Sequence, residues 1–123
     1  MKSAAAAILL AALAAASPAH ATQGLLCSPV AGAGPSVSVV IGAGPGIAGV
    51  SLREAGGDWR HADGSGIAIG QSWLDRERLW IDIVDASAID VVARVRVTRS
   101  GNGSFAGTLE HRGRTHRVRC VED

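Results

Sequence analysis

Between Val91 and Thr98, apolar side chains recur at every second position. Val91, Ala93, Val95 and Val97 share one face, while Arg94, Arg96 and Thr98 share the other. Only an extended strand with one face on a core and one in water accommodates a period of two; a helix would carry the same residues around its axis. Just upstream, Leu79, Ile81 and Ile83 fall on one face, and Trp80, Asp82 and Val84 on the other. The β-branched content and the strand that follows favour a hairpin here over a short helix. A strand pair this apolar on one side requires further strands to cover it.

The rest of the chain supplies them. Leu25–Val30 reads as a short strand carrying Cys27, and Pro29 confines it to an edge, because proline cannot donate to a ladder on both sides. Ser36–Ile41 alternates through Val37, Val39 and Ile41. Ala48–Glu54 alternates Val50 and Leu52 with Ser51 and Arg53. After a loop from Gly56 to Gly66, Ile67–Leu74 reads as a strand with Ile67, Ile69 and Trp73 on one side. Phe105–His111 and Thr115–Val121 complete the series, separated by turn words such as Ser100-Gly101-Asn102-Gly103-Ser104. Seven or eight short strands at this spacing predict an all-β antiparallel meander, a small barrel or a two-sheet sandwich.

The N-terminus predicts a cleaved signal peptide over residues 1–21. Lys2 gives the positive end, Ala4–Ala16 the apolar run, and Ala19-His20-Ala21 the small-x-small cleavage pattern. The run is too short to span a bilayer, so no transmembrane segment is expected after cleavage. The mature chain, 22–123, has a single-domain length, with no Tyr, one Phe and three Trp. Export, to the periplasm if the source is Gram-negative, places Cys27 and Cys120 in an oxidising compartment and predicts a disulfide between them. In the chain-entropy picture, so long a loop gains about 4–5 kcal/mol on closure.

Charge is balanced overall but segregated. Acids dominate from Arg53 to Asp90; from Val91 to Val121 there are seven Arg and one acid, Glu110. Acidic and basic strands pairing side by side account for this, Asp82 against Arg94 or Arg96 being the natural pair. The overall balance gives no reason to expect a nucleic-acid partner.

Val39–Gly46 imitates the opening of a dinucleotide site, but the third fingerprint position is Ile47 rather than glycine, and strand patterning follows where a helix is required. No cofactor is expected. The candidate binding residues are Trp59, Arg60, His61 and Asp63, which gather an aromatic surface, a guanidinium, an imidazole and a carboxylate in one loop. The structural alternative is that Trp59 plugs a barrel end. His61 and Asp63 alone do not make a metal site, and no serine sits in a nucleophile-elbow word.

Small periplasmic inhibitors of C-type lysozyme are also exported β proteins with terminal cysteines. Their word is S-G-x-x-Y. Ser65-Gly66 keeps its first half, and Ile69 replaces the tyrosine, so the similarity is one of architecture and two residues. The expectation is a non-enzymatic binding module of the cell envelope, with an envelope protein or glycan as partner. An inhibitor of a lysozyme-like enzyme, or a small hydrolase using His61 with Ser65 or Asp63, are the alternatives.

Overall fold

The computed structural model describes residues 23–42 and 46–123. The signal peptide read over 1–21 and most of the Gly42–Gly46 turn lie outside the described residues. Nine strands form one antiparallel sheet: β1 (Gln23–Pro29), β2 (Ser36–Ile41), β3 (Ile47–Arg53), β4 (Trp59–His61), β5 (Ile67–Leu74), β6 (Arg78–Asp85), β7 (Val91–Arg99), β8 (Phe105–His111) and β9 (Arg114–Glu122). Their order is β4-β3-β2-β1-β9-β8-β7-β6-β5. Two meanders are therefore joined where β1 pairs with β9. The sheet curls into a nearly closed barrel. At the seam between β4 and β5, a single bridge joins Ala62 to Ile67.

The inward faces supply one continuous core. Val37, Val39, Leu52, Leu79, Ile81, Ile83, Val95, Val97 and Leu109 are fully buried in it. With so few aromatics, branched aliphatics fill the barrel, and their stiffness suits a pleated surface. Cys27 and Cys120 are directly opposed on β1 and β9 and form the disulfide, fully buried among these side chains. The Asp82 pairing also holds: Asp82 opposes Arg94 in register and takes the Arg96 guanidinium at 2.6 Å.

Three expectations need correction. β1 is not an edge strand but lies between β2 and β9. Pro29 is accommodated because it is the last residue of β1, beyond the pairing with β2, which ends at Cys27↔Val37. Trp59 does not plug the barrel: Trp59–His61 is itself a strand, with Trp59 opposite the outward-facing Arg53. Finally, Trp73 does not share a face with Ile67 and Ile69. Between Ile69↔Ile83 and Ser72↔Ile81, β5 advances three residues while β6 advances two. The extra residue is a β-bulge, and it reverses the phase of everything after it. Leu74 takes the inward position opposite Leu79, and Trp73 stands outside opposite Trp80.

Gly70 makes the bulge possible. A Cβ there would meet Val84 Cγ1 at 3.0 Å and the Asp82 carbonyl oxygen at 3.2 Å. Gly107 has a related role in a regular pairing. It opposes Val97, and a Cβ would collide with the backbone of Arg96 and Val97.

Candidate functional site

The predicted residues Trp59, Arg60, His61 and Asp63 fall on and just after β4, and they divide between partners. Arg60 reaches Glu54 Oε1 at 2.9 Å. Glu54 also accepts from Arg112 Nη2 at 2.9 Å and lies 3.3 Å from His111 Nε2, so it ties the end of β3 to the β8–β9 turn. The Arg112 hydrogen bond is the chief reason that the Glu54 carboxyl sits below its ordinary value. His61 Nδ1 and the Ser51 hydroxyl share a hydrogen bond at 2.6 Å across β3 and β4. Asp63 accepts from the Ser65 backbone N–H at 2.8 Å, a local turn closure that lowers its carboxyl below the usual range.

Arg60, His61 and Asp63 still line one small depression of about 190 Å³, together with Ser65. Trp59 lines a different concavity, of about 540 Å³, with Arg53, Ser38, Ser51, His61 and Asp123. The Arg53 guanidinium carbon lies 5.1 Å from the Trp59 ring centroid, so the indole is half-buried with a cation beside it. No group of three or more His, Cys, Asp or Glu side chains that could hold a metal occurs among the described residues.

A second surface escaped the sequence reading. Trp73 and Trp80 are cross-strand partners on the outer face of β5 and β6, 57% and 40% exposed. Cross-strand neighbours on one face stand side by side, so the two indoles are adjacent. Each is held. The Trp73 indole N–H donates to Asp75 Oδ2 at 2.8 Å. Asp75 is itself fixed by the backbone N–H groups of Glu77 and Arg78, at 2.7 and 2.8 Å. The Trp73 bond leads the set of donors that keeps the Asp75 carboxyl below its ordinary value. The Arg78 and Arg96 guanidinium carbons lie 5.6 and 5.5 Å from the Trp80 ring centroid. Arg96 is anchored by Asp82 at 2.6 Å and by the Val95 carbonyl at 2.8 Å.

Together with Gln71 and Ser72, these residues border an open concavity of about 540 Å³. Its volume is within the range of small-ligand sites, and it lies open to solvent. No family model, curated protein or solved structure matches this chain. The chemistry of the two surfaces therefore carries the functional argument. The missed signal was Gly70: an isolated glycine within a strand pattern marks a bulge or a close backbone approach, and a bulge there moves Trp73 outward.

Proposed function

We propose that this chain is a non-catalytic binding module of an oxidising compartment, which grips its ligand on the Trp73–Trp80 face. The observation that carries this reading is an exposed tryptophan pair immobilised by its own neighbours. Exposed indoles leave a large apolar area in water, and fixing them removes the ordering cost that a ligand would otherwise have to offset. The buried disulfide supports the compartment, since such bonds persist where thiols are not kept reduced.

The test is a binding screen of the oxidised chain, read by tryptophan fluorescence, against soluble glycans and a lysozyme panel. Trp73→Ala and Trp59→Ala serve as paired variants. A ligand lost with Trp73→Ala and kept with Trp59→Ala is the expected result. The reverse pattern would move the contact to the Trp59 concavity. That second reading is favoured by its hydroxyls, Ser38 and Ser51, and its carboxylate, Asp123, beside the indole. Lysozyme inhibition that survives both variants would overturn both readings.

A further inference from the structure

Resting on the Trp73–Trp80 contact face, we propose that its ligand is an acidic saccharide polymer. Its pyranose rings lie on the Trp73 indole, and its carboxylates meet Arg78. Three features converge on this class.

The Trp73 N–H is already taken by Asp75, so the ring offers its apolar face rather than a donor. A flat apolar face matches the C–H-bearing side of a pyranose. Gln71 and Ser72 border the same concavity and supply amide and hydroxyl groups for sugar hydroxyls.

The charge is positive and only partly spent. Arg96 is neutralised by Asp82. Among the described residues, Arg78 makes no ion pair. Asp75 is close enough to feel its charge, but the Asp75 oxygens are occupied by Trp73 and two backbone N–H groups. One free guanidinium beside an aromatic plane fits one carboxylate per sugar, presented bidentately.

The concavity is open rather than enclosed, so it takes an internal stretch of a chain as readily as an end. Nucleic acid would also bring flat rings and anions. It is the weaker candidate, because affinity for it rests on many simultaneous phosphate contacts, whereas this face has one free arginine.

The test is calorimetric titration of the oxidised full-length mature chain at low salt. The probes are hexasaccharides of galacturonate, mannuronate and glucuronate, the methyl ester of any that binds, a neutral glucose hexasaccharide, and a single-stranded oligonucleotide. At least one uronate should bind. Its esterification should weaken binding roughly tenfold, the worth of one hydrogen-bonded charge pair. Arg78→Gln should cost a similar factor and abolish the preference for acid over ester. Arg78 is exposed, so this variant should fold as wild type, with unchanged circular dichroism as the check.

If ester and acid bind equally and Trp73→Ala removes both, the acidic class is wrong while the contact face stands. If no uronate binds, or if the oligonucleotide binds more tightly than any of them, the proposal is overturned. Uronate binding indifferent to Trp73→Ala would overturn the contact face itself.

Discussion

β5, at the seam of the barrel, and β7, inside the sheet between β6 and β8, obey different rules. From Ala93 onward β7 alternates regularly: Ala93, Val95 and Val97 are buried, and Arg94, Arg96 and Thr98 face out, in unbroken register with β8. Only at its start does the pairing with β6 shift, which leaves Val91 exposed rather than inward and Val92 against the core. β5 begins in regular pairing, with Ile67 buried opposite Asp85, and then slips by one residue. A regular strand converts its alternation into core. The bulged strand gives up regularity for the placement of one large side chain in water. Continued in phase, β5 would have sent Trp73 into a lumen already filled by Leu79 and Ile81. The extra residue at the bulge instead sets Leu74 inside and Trp73 beside Trp80. Bulges commonly re-aim a side chain near a functional surface.

The two glycines sharpen the contrast. Gly107→Ala should cost about 3 kcal/mol, because the added methyl meets main chain in a regular pairing that has no slack. Urea denaturation reads this directly. Gly70→Ala should cost about 1 kcal/mol, since the nearest atom, on the Val84 side chain, can yield, and the Asp82 carbonyl oxygen at 3.2 Å needs to give by only a few tenths of an ångström. Its more telling effect should be on Trp73, whose accessibility to acrylamide should change while the buried disulfide stays intact. If both alanine variants cost the same, the bulge is as rigid as the regular ladder and the contrast fails.

A smaller effect is expected at the clamp on the barrel end. Glu54→Gln should cost roughly 0.5–1 kcal/mol, typical of a partly exposed charged network. The folded Glu54 carboxyl lies below its ordinary value of 4.5, held there first by Arg112. Its contribution is therefore complete above that pH and fades as the pH falls through the lowered value. Wild type and Glu54→Gln should converge in stability on the acid side and differ near neutrality.

The smallest effect on stability belongs to the proposed contact face. Trp73→Ala should change unfolding free energy by no more than about 0.5 kcal/mol, as expected of a side chain over half exposed. A larger loss would mean that the indole is a structural element rather than a presented one. Asp75 adds a spectroscopic check. Its carboxyl is held below the ordinary aspartate value, first by the Trp73 N–H, so the bond to Trp73 should stay charge-assisted through the usual carboxylate range and weaken only at lower pH, with a shift in indole emission absent from Asp75→Asn.

Much of this architecture was legible. Ser36–Ile41, Ile67–Leu74 and Phe105–His111 are read with their observed limits, because each is bounded by Gly, Pro, charged or turn-forming residues. The pairing of Cys27 with Cys120 and of Asp82 with the β7 arginines also followed from composition and alternation. What was not legible depends on neighbours. β4 is three residues long, too short for any period to register, and exists because β3 offers it an edge. The central place of β1 depends on β9 returning from the far end of the chain. The outward turn of Trp73 depends on a single inserted residue, which alternation read along one strand cannot reveal. The predicted residues Arg60, His61 and Asp63 do meet, at a small depression, while Trp59 turns to another surface.

The junction of β1 and β9 also sets an order of events. A chain delivered from its N-terminus exposes Cys27 long before its partner exists, 93 residues later. Until β9 arrives, β1 has only β2 beside it, and Cys27 is a solitary thiol open to capture by any passing disulfide. The correct bond can form only when the last strand docks, so oxidation that comes too soon is a hazard and oxidation on completion is a lock. Once made, the bond is enclosed by the core it helped to close. A reductant must then wait for the barrel to open, and resistance to reduction becomes a direct readout of how rarely β1 and β9 part.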